Sequence, residues 1–275
     1  MKKQFTLFAA STLAAMTFVP MVGFADETTP ADNTPKTYQS TGTVTFTAPT
    51  TTTKPLNPND PHPNVPVNPK NPDGKTDPKP GTAGPLSLDF ASSLDFGKQE
   101  ITSETKDYVA SAQQLGDSKD KNFVPDYVQL TDNRGTFEGW TLSVTQDKQF
   151  QTGSGVVLTG AEVTFDKATH ATTNSVNADV INKTKFTLTP GVETKIMSGQ
   201  KAAEGKTNAT SGTHILRFGD QDSLTKTEKN SDGTSRNVTD PAITLNVPGS
   251  TDKMAQEYTT NFNWTLSNTP SEDAK

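Results

Sequence analysis

The sequence predicts an all-β protein: an Ig-like or Greek-key sandwich, or a barrel-like single domain, with long polar loops and a proline-rich linker ahead of it. Three observations carry this expectation. Short segments alternate apolar and polar residues, the period of two that a strand with one buried face requires. They recur at roughly ten-residue spacing between turn signals, as in sandwiches and barrels. Helical periodicity is missing, since the one helix-like piece, Ser250–Gln256, has a single apolar face residue, Met254.

At the amino end, Lys2 and Lys3 precede an apolar run from Phe5 to Val19, and Gly23-Phe24-Ala25 places small residues where a signal peptidase cleaves. Residues 1–25 therefore read as a secretory signal peptide. The run is too short to span a bilayer comfortably, so the mature chain starts at Asp26 and is expected outside the cell. Residues 26–48 are polar apart from Gly42-Thr-Val-Thr-Phe-Thr47, where Val44 and Phe46 alternate with threonines. A lone strand is unstable in water, so this strand at 43–47 is expected to pair with the main sheet. From Pro49 to Pro85, 11 prolines lie among Asn, Asp, Lys and Thr. Such a stretch continues neither a helix nor a central strand. It reads as a polyproline II spacer reaching on the order of 100 Å, or as a surface loop if the 43–47 strand returns to the domain.

The β-domain is placed at 86–275, ample for a buried core. Leu86, Leu88 and Phe90 alternate with Ser87 and Asp89, and Ser-Leu-Asp-Phe recurs at 93–96. The two copies either share one face of a continuous strand or are separated by a bend at Ala91-Ser92. Further strands are expected at 107–111, 123–131, 139–145, 160–165, 185–189, 194–197, 213–218, 242–247 and 258–266, with long polar loops at 198–212 and 221–239. Both tryptophans of the chain sit in the tripeptide Trp-Thr-Leu, at 140–142 and 264–266. Each copy lies on an alternating strand, which suggests two strands built for related positions.

Composition narrows the function. With residues 1–25 removed, 23 basic residues face 31 acidic ones, a net charge of −8 that disfavours nucleic acid and anionic membranes as partners. There is no cysteine, which removes disulfides, thiol nucleophiles and zinc knuckles. The three histidines, His62, His170 and His214, fall in no catalytic pattern, and no nucleophile elbow, zinc helix or phosphate loop is present. No catalytic residue, cofactor or metal is therefore expected. Glu228-Lys-Asn-Ser-Asp-Gly233 has a calcium loop's flavour but Thr239 where a bidentate Glu belongs, and it reads as a solvated turn.

Two readings of the tryptophans stand. Trp140 and Trp264 either fill the core together with Leu142 and Leu266, or form an aromatic platform for a sugar face. Periodicity favours the core, because each Trp shares its face with other apolar residues and burying that face gains about 25 cal/mol per Å². The opposite faces then become the candidate ligand surface: Thr141 and Ser143 on one strand, Asn261, Asn263 and Thr265 on the other. Uncharged hydroxyls and amides of this kind can bond glycan hydroxyls or peptide amides. An ordinary wet strand face would look the same.

Taken together, Gly139-Trp-Thr-Leu-Ser-Val144, Asn263-Trp-Thr-Leu-Ser-Asn-Thr-Pro270, and the opening Gly84-Pro-Leu-Ser-Leu-Asp-Phe90 with Leu94-Asp-Phe-Gly97 resemble the WxL-domain cell-surface proteins of low-GC Gram-positive bacteria. The signal peptide, the Gly-Thr-Val-Thr-Phe strand and the Asn-Pro/Asp-Pro-rich linker are similar to that family's layout, so the resemblance covers essentially the whole chain. It implies a non-catalytic protein held non-covalently at the cell wall through peptidoglycan. It also implies a surface complex with a wall-anchored surface protein and sibling WxL proteins, or adhesion to a host matrix protein. The carboxyl end, Ser271-Glu-Asp-Ala-Lys275, shows no sortase-type motif, and no lipid-attachment cysteine follows the signal; retention at the surface would fall to the β-domain. The alternative is a protein-binding module for a wall-anchored or host matrix partner, with wall association secondary.

Overall fold

The computed structural model describes residues 34–116, 122–173, 180–207, 210–225 and 238–275. The signal segment and the Glu228–Gly233 turn lie outside them. The chain divides into Met1–Thr45 and Phe46–Lys275. In the first unit, the described residues are exposed and carry no strand. The strand expected at 43–47 is not formed: Val44 is 76% and Phe46 89% exposed. Two apolar side chains bury too little to hold a strand by themselves.

The second unit is all-β. Its strands are β1 (Leu86–Ala91), β2 (Lys106–Ser111), β3 (Gln113–Leu115), β4 (Asn122–Val124), β5 (Tyr127–Asp132), β6 (Trp140–Gln146), β7 (Glu162–Phe165), β8 (Ala168–Thr172), β9 (Val180–Asn182), β10 (Phe186–Thr187), β11 (Thr194–Gly199), β12 (Gly212–Phe218), β13 (Thr239–Val247) and β14 (Phe262–Ser267). They build three four-stranded antiparallel sheets, ordered β1-β5-β12-β8, β10-β7-β13-β2 and β14-β6-β11-β9, plus the β3-β4 ribbon. No barrel closes. The Ser250–Gln256 piece is not a helix but a run of bends, because the Lys253 ammonium donates to the carbonyls of Pro248, Thr251 and Thr102 and pins the segment in a turn.

Local chemistry explains where strands stop. Pro125, which lacks an N–H, splits the run expected at 123–131 into β4 and β5. Pro241 sits where β13 loses register with β2, between Asp240 and Thr244, the bulge position that tolerates proline in a central strand. β1 ends at Ala91, so the Ser-Leu-Asp-Phe repeat is broken by the bend and not continued. A register shift between Leu88 and Phe90 rotates Phe90 away from the face that holds Leu88.

The three sheets enclose one main core, in which Val128, Leu130, Trp140, Leu142, Val144, Phe165, Phe218 and Ile243 meet. A second, smaller core lies on the other side of β5 and β12: Leu56, Phe90, Leu115, Val124, Tyr127 and Ile215. Leu56 comes from the proline-rich stretch, which here packs along the domain. Its N–H donates to Gln129 Oε1 at 2.7 Å, and Gln129 Nε2 donates back to the Lys54 carbonyl at 3.0 Å. Farther along, the Lys70 N–H donates to the Gln114 carbonyl at 2.9 Å, and Gln113 Nε2 donates to the Lys70 carbonyl at 2.7 Å. This belt covers Ser87 and Asp89, which the alternation had placed on a wet face but which are buried. Asp89 is held by Ser87 Oγ at 2.6 Å, Thr131 Oγ1 at 2.6 Å and Gln129 Nε2 at 2.9 Å. Burial raises its pKa and those three donors work against the rise. Gly81 closes the contact: a Cβ there would lie 2.4 Å from the Asp89 carbonyl oxygen.

Candidate functional site

The two Trp-Thr-Leu copies are direct neighbours. β14 pairs antiparallel with β6, Trp264 opposite Val144 and Leu266 opposite Leu142, so the two indoles enter the same side of one sheet from opposite directions. Trp140 is fully buried, its Nε1 donating to the Thr210 carbonyl at 2.9 Å and its ring lying 5.1 Å from that of His214. Gly199, its cross-strand partner, leaves room for the indole, since a Cβ there would come within 2.7 Å of Cε2. Trp264 is half-buried, edge-on to Phe165 at 6.3 Å. Both tryptophans, with Leu142 and Leu266, belong to or pack against the main core.

The opposite faces differ. On β14, Asn263, Thr265 and Ser267 are exposed, with Asn261 just ahead of them. On β6, Thr141 and Ser143 are buried and occupied. Thr141 Oγ1 donates to the Thr269 carbonyl at 2.6 Å, and Ser143 Oγ donates to Glu193 Oε1 at 2.5 Å. The chain after β14 folds back across this face. The Ser271 N–H donates to Ser198 Oγ at 2.9 Å, Lys195 pairs with Asp273 at 2.9 Å, and Ala274 is fully buried. Of the five residues expected to form a ligand face, Asn261, Asn263 and Thr265 are available and Thr141 and Ser143 are not.

An open groove of ≈ 1330 Å³ runs beside the start of this strand, between the 94–101 loop and the 253–262 segment. Phe96, Phe150 and Leu158 line it deeply, the half-buried rings of Tyr108, Tyr258 and Phe262 line it higher up, and Glu100 and Glu257 lie at its sides. Tyr258 is fixed by accepting the Met254 N–H on its phenol oxygen at 2.7 Å. Ile101 and Met254, also in the lining, are 57% and 43% exposed. The aromatic and aliphatic side chains share the lining with Asp73, Asp95, Lys98 and Lys253 as well as Glu100 and Glu257. Sequence reading missed it because its two walls lie about 150 residues apart; the alternation of Tyr258 and Phe262 was the only hint of an aromatic lining.

Two ionisable pairs lie largely inside the protein, with His170 alone partly exposed. His170 Nε2 and His214 Nδ1 are 3.0 Å apart on neighbouring strands β8 and β12. Burial drives both pKa values down, to about 3 for His170 and about 4 for His214, so both rings are neutral near pH 7. Asp126 and Asp240 form the other pair. Asp240 accepts the N–H groups of Asp126 and Ala242 at 2.9 and 3.0 Å, whereas neither Asp126 carboxyl oxygen has a well-formed partner. Burial pushes Asp126 well above the usual carboxylate range, the neighbouring Asp240 adds to the rise, and Asp240 itself moves up to about 6. Neither pair lines the groove; His214, Asp126 and Asp240 are buried, and His170 is partly exposed. Among the described residues, no group of three or more His, Asp or Glu could hold a metal ion, and no helix is long and apolar enough to cross a membrane.

Comparison with known proteins gives one result. A family model described as WxL domain, surface cell wall-binding, matches residues 33–270. No curated protein and no solved structure matches the chain.

Proposed function

The chain belongs to the WxL family of surface cell wall-binding domains, and we propose on that premise that it is secreted, attaches non-covalently to peptidoglycan, and acts without catalysis. Its role is that of a surface-complex component beside a wall-anchored protein and sibling WxL proteins, or of an adhesin for a host matrix protein. The observation that carries the reading is the extent of the family match, which takes in the belt and nearly all of the β-domain. The surface best suited to a glycan is the uncharged stripe of Asn261, Asn263 and Thr265 together with the adjoining aromatic groove. Amides and hydroxyls there can bond sugar hydroxyls, and the Tyr108, Tyr258 and Phe262 rings offer apolar area for sugar faces.

Co-sedimentation tests this. The chain from Asp26 to Lys275 is expected to pellet with purified peptidoglycan, and an Asn261→Ala/Asn263→Ala/Thr265→Ala variant is expected to pellet less with its melting temperature unchanged. Protein left in the supernatant at both low and physiological salt would sink the proposal. Binding undiminished in the triple variant would move the contact elsewhere on the domain.

A further inference from the structure

We propose that Gly42–Thr47 of one copy adds as a strand to the open edge of β14 in a second copy, so that the protein self-associates by β-augmentation. The donor is an alternating six-residue stretch whose apolar residues, Val44 and Phe46, are 76% and 89% exposed. The receiver is the edge strand of its sheet: among the described residues β14 forms a ladder with β6 alone. Edge strands are usually guarded by lysine, proline, short length or a covering segment. β14, read Phe-Asn-Trp-Thr-Leu-Ser, has six residues and neither lysine nor proline, and β1 packs against it without forming a ladder.

The other edges are guarded. β1 is bonded along its outer side by Thr82, whose N–H donates to the Leu88 carbonyl and whose Oγ1 accepts the Leu88 N–H, both at 2.8 Å. β2 opens with Lys106-Asp107, β9 and β10 are three and two residues long, and the Ala168 N–H at the start of β8 is taken by the Thr184 carbonyl.

Donor and receiver match in pattern. Laid beside β14, the donor places Val44 and Phe46 in line with the half-buried Phe262, Trp264 and Leu266, and Thr43, Thr45 and Thr47 in line with Asn263, Thr265 and Ser267. Neither stretch carries a charge, in a chain that is 20% charged, so the contact brings two acidic copies together without opposing like charges. The occupant is a second copy, because donor and receiver are uncharged stretches of one chain that share a period of two, so each copy carries both halves of the contact.

Sedimentation velocity and disulfide trapping test the idea on the chain from Asp26 to Lys275. The protein is expected to associate reversibly with concentration, and Val44→Asp/Phe46→Asp is expected to weaken association at least about tenfold at an unchanged melting temperature. The chain has no cysteine, so a Thr45→Cys copy mixed with an Asn263→Cys copy reports this contact alone; a crosslinked pair of the two is expected. A monomer at every concentration, or association untouched by the aspartates, overturns the proposal. So does a chain carrying both cysteines that closes only on itself, which would place the strand on its own sheet.

Discussion

β6 and β14 carry the same tripeptide, lie side by side in one sheet, and live in different environments. β6 is central, flanked by β14 and β11, and all but one of its residues are buried, on both faces. β14 is at the edge, with a strict alternation of half-buried and exposed residues. The sequence of a strand therefore sets which side chains share a face, but the strand's place in the sheet and what lies over it decide whether a face is wet. Trp140 is a core residue in every respect, whereas Trp264 keeps part of its ring in reach of solvent. Thr141 and Ser143 serve to attach the tail and Glu193, while Asn263 and Thr265 remain free for other work.

The largest test of that difference is Trp140→Ala. It empties a fully enclosed indole site and removes the indole hydrogen bond to the Thr210 carbonyl, so a loss of about 3–5 kcal/mol is expected in urea denaturation. Gly199→Ala should act in the same direction, because its methyl would strike the indole. Trp264→Ala should cost about 1.5–3 kcal/mol, since a smaller share of its apolar area is withdrawn from water, and the domain should stay folded by near-ultraviolet circular dichroism. Equal losses for the two tryptophans would erase the distinction between the strands.

Smaller effects sharpen it. Thr141→Val strands the Thr269 carbonyl and should cost about 1–2 kcal/mol, whereas Thr265→Val, on the wet side of the neighbouring strand, should stay within about 0.5 kcal/mol. The two buried ionisable pairs set opposing pH dependences. The histidines have depressed folded pKa values, so their contribution is present above about pH 6.5 and is lost as pH falls toward 4 and then 3. The aspartates have raised folded values, so theirs is present in acid and is lost as pH rises through about 6. Asp126→Asn should therefore raise the melting temperature at pH 7 and leave a curve that only falls as acid is added. His214 lies against Trp140 at a tilt, so acid unfolding followed in a Trp264→Phe variant, with Trp140 as sole tryptophan, should shift to lower pH when His214 is replaced by Leu.

Much of the fold was legible in alternation: the all-β class, the pairing of the two Trp-Thr-Leu strands as related elements, and the inward side of both. What sequence hid was coverage. Ser87, Gln129, Thr131, Thr141 and Ser143 have the polar character of a solvated face, yet each is buried by a segment remote in the chain. Leu56, a lone leucine among prolines, gives no periodic signal, but its buried side chain and the bonds of Leu56 and Lys54 to Gln129 help to seat the belt. The 43–47 stretch shows the converse: its alternation is plain, yet it forms no ladder among the described residues. For the candidate site, period two placed Asn261, Asn263 and Thr265 on one side of the strand, where they are exposed, while the groove depends on a contact between distant loops that no local pattern encodes.

Both strands that pair with β6 lie after it in the chain: β11 begins at Thr194 and β14 ends at Ser267. A polypeptide appearing from its amino end, at a ribosome or a pore, thus holds Trp140 without its Gly199 partner until β11 is out, and β6 without β14 until nearly its whole length is out. Assembly of this sheet is consequently a matter of timing as well as energy. It begins with the belt and β1 waiting, is decided by residues more than 100 positions later, and finishes when the final turn tucks Ala274 against β11.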